Sequence, residues 1–126
     1  MVNDVKLPAG PLDLLYSIAY AEIERKKYSD ALPLFQLLTF HEVTQQTYWM
    51  GLGMAYQGVK DYKNALEAYS KAANLGLDNP YVHYKAAECY FALNQKDNAL
   101  KALTCADRAL KYNPEKPLQA QVDLLR

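Results

Sequence analysis

Several residues of this sequence are of types that can do chemistry, but their spacing does not assemble a reactive site. His41 and His83 lie far apart in the chain, and each is better explained as a loop or packing residue than as a ligand. Cys89 and Cys105 lack the short spacing of a metal-binding or redox pair. Gly51-Leu52-Gly53 begins like a phosphate-binding loop, but no Lys-Ser or Lys-Thr follows it. We therefore predict no enzymatic activity, no catalytic residue, no cofactor and no metal site.

The composition narrows the class of partner. The chain has 126 residues, 51% of them hydrophobic, which is enough for one domain with a core. Fourteen basic and fourteen acidic side chains give no net charge, so no basic surface is expected and nucleic acid is excluded as a partner. Residues 1–6 do not resemble a signal peptide, and no apolar run is long enough to span a membrane. We expect a cytoplasmic protein that does not insert into membranes.

The elements that would position a binding site follow from an internal repeat. Ala31, Ala65 and Ala99 are 34 residues apart, and small or large side chains recur with the same step in other columns. The middle copy carries the tetratricopeptide pattern, a helix–turn–helix unit of this length. Its matching residues are Trp49, Leu52, Gly53, Tyr56, Ala65, Tyr69, Ala72 and Pro80.

The repeat predicts one all-α domain over residues 1–126, a right-handed superhelix with a concave groove. The repeats are placed at about 12–43, 46–79 and 80–113, with a capping helix at 115–126. Helices are predicted at about 11–25, 29–39, 45–58, 61–75, 80–93, 97–111 and 115–126. Asp61 and Asn79 are predicted N-caps, Asn113-Pro114-Glu115 opens the last helix, and Asp4–Pro11 is an irregular lead-in. Ile18 is expected to face the interface between helices.

A second apolar stripe remains on the first helix of each repeat after helix packing is accounted for. Its spacing of three, four and seven residues places it on one helix face, the inner side of the superhelix. The stripe consists of Tyr16, Tyr20, Ile23, Met50, Met54, Gln57, Tyr81, Tyr84, Glu88 and Phe91. Tyrosine and methionine suit a peptide-binding groove, with Gln57 and the hydroxyls reaching a guest backbone. Alternatively, Tyr81 or Phe91 packs against the terminal helix or a partner subunit.

The sequence resembles the class II chaperones of bacterial type III secretion systems over about residues 12–110. The resemblance rests on four segments: Leu15-Tyr16-Ser17-Ile18-Ala19-Tyr20, Ala31 with Leu34-Phe35-Gln36-Leu37-Leu38, Tyr48-Trp49-Met50-Gly51-Leu52-Gly53, and Ala86-Ala87-Glu88-Cys89. It implies a groove that takes an extended Pro-x-Leu-x-x-Pro-like segment from the amino-terminal region of a hydrophobic translocator. Translocators would thereby stay soluble and apart in the bacterial cytosol before export. The resemblance points to Tyr16, Tyr20, Met50 and Tyr84 as pocket-lining residues.

Family members usually form homodimers through a longer helical extension. Only about eleven residues precede the first repeat here, so a homodimer is left open as a second partner, without an assigned mode.

Other functions of tetratricopeptide proteins remain as alternatives. The carboxylate clamp that grips heat-shock chaperone tails is disfavoured, because only Lys85 among the corresponding positions is a suitable residue. A general interaction scaffold, or a co-chaperone of needle subunits, would bind an amphipathic helix instead of an extended segment.

Overall fold

A computed structural model describes residues 10–76, 78–112 and 116–126 of the chain. Within these ranges it contains seven α-helices and no strand, which confirms the predicted all-α class. The helices are α1 (Pro11–Glu24), α2 (Tyr28–His41), α3 (Gln46–Gly58), α4 (Tyr62–Ala73), α5 (Pro80–Ala92), α6 (Lys96–Tyr112) and α7 (Lys116–Leu125). Most of the predicted lead-in, and the Asn113-Pro114-Glu115 start predicted for the last helix, lie outside the described residues.

The helices pack in pairs, α1 with α2, α3 with α4 and α5 with α6. The turn that connects the two helices of each pair recurs at the period of the sequence. One residue in each turn has a positive φ: Lys26 (62°), Lys60 (68°) and Asn94 (62°), again 34 residues apart. The amide of each donates to a carbonyl of the helix that has just ended, as Lys60 does to Gln57 at 2.9 Å. This is the Schellman ending of an α-helix. The repeat is therefore present in the backbone conformation as well as in the side chains.

Both N-caps expected from the sequence are confirmed. The Asp61 carboxylate accepts a hydrogen bond from the backbone amide of Asn64 at 3.4 Å, at the start of α4. The Asn79 side chain accepts one from the amide of Tyr81 at 2.9 Å, and Pro80 is the first residue of α5. Such caps satisfy amides that have no partner within the helix.

Three glycines of α3 let helices approach closely on both of its sides. A Cβ atom at any of them would overlap an aromatic ring that projects from α2 or α4. The pairs are Gly51 with Phe35, Gly53 with Tyr69, and Gly58 with Tyr28. The central helix is thus notched where its neighbours insert their rings, which brings the helix axes together.

Two side chains from the start of α3 fasten it to neighbouring segments. The Gln46 amide donates to the carbonyls of Ala72 (2.8 Å) and Leu75 (2.7 Å), at and just beyond the end of α4. The Trp49 indole N–H donates to the carbonyl of Val43 in the α2–α3 connection at 2.9 Å. Carbonyls at a helix end lack intrahelical donors, so these bonds close the turns of the central repeat.

The core runs along the stack between successive helix pairs. Fully buried members include Phe35 in the first pair, Tyr69 in the second and Leu103 in the third, and Val122 of α7 closes the last cluster. The expectation that Ile18 packs at a helix interface is wrong. Its side chain is 47% exposed, because no helix in the described part of the chain covers that face of α1. No helix in the described ranges is long and apolar enough to cross a bilayer.

Replacing Gly51 by Ala should destabilise the fold, although alanine is the better helix former. The propensity gain of about 1 kcal/mol is outweighed by overlap with the buried Phe35 ring, since overpacking costs about 1–3 kcal/mol. Urea denaturation of Gly51→Ala, Phe35→Leu and the double variant measures this. The double variant should lose less stability than the sum of the single losses, and strictly additive losses would refute the contact.

Replacing Lys60 by Gly should raise the free energy of unfolding by about 1 kcal/mol, because a left-handed conformation strains a residue that has a Cβ atom. Lys101→Gly is the matched control, an exposed lysine inside α6, and it should lower the same quantity by about 1 kcal/mol. Chemical denaturation of both variants compares them. Equal signs for the two changes would contradict the assignment of Lys60 as a strained helix ending.

Candidate functional site

The first helices of the three pairs form a continuous wall. Cα atoms of α1 approach those of α3 within 8 Å, and α3 approaches α5 in the same way. No such approach joins α2 to α4, or α4 to α6, over the described residues. The stack is therefore tighter on the side of α1, α3 and α5, which we call the inner wall, and more open on the opposite side.

The amino-terminal part of the inner wall is a cluster of aromatic rings. The Tyr16 ring lies 5.9 Å from Tyr20, 5.4 Å from Tyr48 and 6.1 Å from Phe35, measured between centroids. Tyr16 is half-buried and burial is the main cause that raises its pKa, whereas Tyr20 is 39% exposed. Tyr16 thus supports Tyr20, which offers its ring to the surface.

A cavity of about 330 Å³ opens further along the inner wall. Four of the predicted site residues line it together: Ile23, Met54, Gln57 and Glu88. Five further residues complete it: Tyr28, Gly58, Tyr62, Lys85 and Ala92. The lining of this inner-wall cavity combines apolar side chains with the Lys85–Glu88 ion pair, so the cavity can hold an amphipathic group.

A chain of hydrogen bonds fixes the polar side of the inner-wall cavity. The buried Tyr69 hydroxyl donates to Gln57 Oε1 at 2.7 Å, and Gln57 Nε2 donates to Glu88 Oε1 at 3.0 Å. Lys85 Nζ lies 3.3 Å from the same Glu88 oxygen. Gln57 was expected to reach a guest backbone, yet both ends of its amide already have partners within the fold.

Burial keeps the tyrosines of this region in their neutral, hydrogen-bonding form. Burial, followed by the nearby charge of Glu88, raises the pKa of Tyr84 to about 12. The pKa of Tyr69 is raised further, with burial again the main cause. Because their folded-state pKa values lie above the ordinary value of 10.0, both phenols remain donors through the physiological range.

The carboxyl-terminal members of the predicted set divide into exposed and packed residues. Tyr81 is 39% exposed and lies 6.1 Å from the Tyr84 ring in an edge-to-face arrangement. Phe91 instead packs against the cluster that contains Val122 of α7. Met50, which lies in the middle repeat on α3, is likewise a packed residue and contacts the cluster around Tyr69. Tyr81 is therefore the accessible ring at this end of the inner wall.

Sequence reasoning missed several residues that shape the site. Tyr28 and Tyr62 both line the inner-wall cavity and occupy the same repeat column, 34 residues apart, so the periodicity contained a signal for them. Lys85 is one helical turn before Glu88, a spacing that favours an ion pair. Tyr69 was assigned only a packing role, and nothing local in the sequence indicates its bond to Gln57.

Cys89 and His83, two residues of types that can take part in chemistry, are buried or paired with a neighbour within the fold. Burial raises the pKa of the Cys89 thiol to about 12, which keeps it protonated and unreactive. His83 Nε2 lies 2.7 Å from Asp78 Oδ1 beside the start of α5. The described residues contain no group of three or more His, Cys, Asp or Glu side chains that could hold a metal ion.

The chain is similar to known secretion proteins. No protein-family model matches the sequence. Low calcium response locus protein H of Yersinia pseudotuberculosis is 29% identical over 115 residues, which cover 91% of this chain and 67% of that protein. The likeness thus extends over nearly the whole chain.

Solved structures give the same result in three dimensions. The type III secretion chaperone SycD of Yersinia enterocolitica, in complex with a peptide of the translocator YopD, is 30% identical with a TM-score of 0.85, over 90% of this chain and 88% of SycD. SycD also has a structure as an alternative dimer, with a TM-score of 0.86 at 29% identity, over 90% of this chain and 87% of SycD.

PcrH of Pseudomonas aeruginosa, in complex with the chaperone binding region of PopB, has a TM-score of 0.88 at 27% identity, over 95% of this chain and 98% of PcrH. The sequence identity and the structural similarity indicate the same family of proteins. The chain belongs to the tetratricopeptide-type translocator chaperones of bacterial type III secretion systems.

Proposed function

We propose that this chain binds an extended amino-terminal segment of hydrophobic translocator proteins on its inner wall. It keeps them soluble and apart in the bacterial cytoplasm until export. The observation that carries this proposal is the pair of exposed rings, Tyr20 and Tyr81, at the two ends of a wall that also contains an open cavity. A wall with aromatic anchors on its first and last helices and a pocket in the same surface suits a chain that passes along it.

The chemistry of the wall suits an apolar guest with a polar backbone. Aromatic rings bury large areas of a guest with little loss of their own conformational entropy, and Met54 adapts to the shape of what it meets. Tyrosine hydroxyls can donate hydrogen bonds to peptide groups of the guest and accept hydrogen bonds from them. Binding would act by occupation: guest apolar surface is covered, and no bond is made or broken.

The relatives support this choice of guest. SycD was crystallised with a peptide of the translocator YopD, and PcrH with the chaperone binding region of PopB. A Pro-x-Leu-x-x-Pro-like segment of a translocator is accordingly our proposed ligand. A homodimer of this chain is a further expectation, supported by the dimer of SycD, and light scattering of the free and guest-bound protein measures it.

Replacing Tyr20 or Tyr81 by Ala should weaken guest binding by about 1–3 kcal/mol each, because each change removes an anchoring ring. Both side chains are 39% exposed, so the fold should tolerate their loss. Each variant is co-expressed with a translocator, and isothermal titration calorimetry measures its affinity for a synthetic peptide that covers the amino-terminal, proline-containing segment of that translocator. The solubility of the full-length translocator in the same cells is the second measurement.

Tyr112→Ala is the matched control, since this tyrosine at the end of α6 is 87% exposed and lies off the inner wall. It should bind the peptide as the unchanged protein does. Equal affinities for all three variants would remove the inner wall as the binding site. A bound peptide with helical rather than extended chemical shifts would instead favour a scaffold or needle-subunit co-chaperone.

A further inference from the structure

Lys85 and Glu88 form a charged pair that lines the inner-wall cavity. The side chains of Lys85 and Glu88 are only 21% and 27% exposed, and Ile23 and Met54 line the same cavity. Removing two charges from water costs free energy that their mutual attraction often fails to return. The pair is therefore poorly explained by stability alone, which points to a role in binding.

Gln57, Lys85 and Glu88 form a polar cluster in the inner-wall cavity. The orientation of the Gln57 amide determines which hydrogen-bonding groups this cluster presents to a guest. The Tyr69 hydroxyl donates to Gln57 Oε1, so the amide oxygen faces α4 and Nε2 faces Glu88. One N–H of Nε2 bonds Glu88, and the amide carries a second. The Lys85 ammonium has three N–H groups, and its Nζ lies 3.3 Å from Glu88 Oε1. Glu88 Oε1 already accepts from Gln57 and forms an ion pair with Lys85. Gln57 and Lys85 therefore keep N–H groups that can donate to a guest.

The charge balance selects a neutral acceptor. Lys85 and Glu88 cancel each other, so the cluster gives no net attraction to either an acidic or a basic side chain. A main-chain carbonyl is neutral, accepts two hydrogen bonds and is present at every residue of an extended segment, proline included. Once a guest covers the cavity and excludes water, the spare N–H groups need such a partner.

We infer that Gln57, Lys85 and Glu88 form a subsite that binds a main-chain carbonyl oxygen of the guest as it crosses the inner-wall cavity. Gln57 and Lys85 donate to this oxygen, Glu88 holds both donors in place, and Tyr69 is a positioning residue for Gln57. This inference rests on the proposed function and adds a contact that does not depend on guest sequence. It would allow one wall to accept more than one translocator.

The double variant Lys85→Met with Glu88→Leu tests the inference, because it removes both charges together and leaves neither unpaired. Its thermal stability should be equal to or above that of the unchanged protein. Its affinity for the translocator peptide should fall about tenfold, since each factor of ten corresponds to the loss of one good hydrogen bond. Lys101→Met, an exposed lysine on α6, is the control and should leave the affinity unchanged.

Peptides in which one amide at a time is replaced by an ester identify the contacted carbonyl. An ester carbonyl is the weaker acceptor, so at one position it should reduce affinity for the unchanged protein several-fold and have no effect with the double variant. Tyr69→Phe should reduce the effect of that ester, because Gln57 is then free to rotate.

Equal affinity of the double variant and the unchanged protein would overturn the inference and leave the cluster a structural feature. Tighter binding would also overturn it and show that the cavity takes an apolar side chain. In both cases Tyr20→Ala would still weaken binding if the proposed function holds. If the unchanged protein does not bind the peptide, the proposed function itself fails.

Discussion

The insertion of aromatic rings from α2 and α4 into the glycine notches of α3 is the contact on which the rest of the structure depends. Phe35 and Tyr69 occupy space that any Cβ atom at Gly51 or Gly53 would fill. The central helix can therefore lie close to the helices on both sides. Because α3 also contacts α1 and α5, the same packing determines how tightly the inner wall is drawn together.

Tyr69 connects this packing to the candidate site. Its ring fills a glycine notch, while its hydroxyl leaves the core to orient Gln57 in the inner-wall cavity. Burial raises its pKa, so the hydroxyl is a permanent donor rather than a titrating group. Replacing Tyr69 would therefore alter both the packing of the core and the orientation of Gln57 in the inner-wall cavity, because one side chain makes both contacts.

SycD and PcrH resemble this chain closely in structure, with TM-scores of 0.85 or above, although their sequence identity to it is 30% or below. Such a difference is expected of repeat proteins, in which small and large residues at a few columns determine the packing and other positions are free to vary. The inner wall lies mostly outside those columns.

The period, the helices and the N-caps at Asp61 and Asn79 could be predicted from the sequence, because these depend on spacings within one or two turns or on an exact repeat. The sequence could not distinguish exposed Tyr20 from supporting Tyr16, or show that Ile18 lies open to solvent. Only the tertiary structure joined Gln57 to Glu88 across 31 residues and brought Lys85 into the same cavity. Such contacts depend on how α3, α4 and α5 stack, which no local pattern encodes.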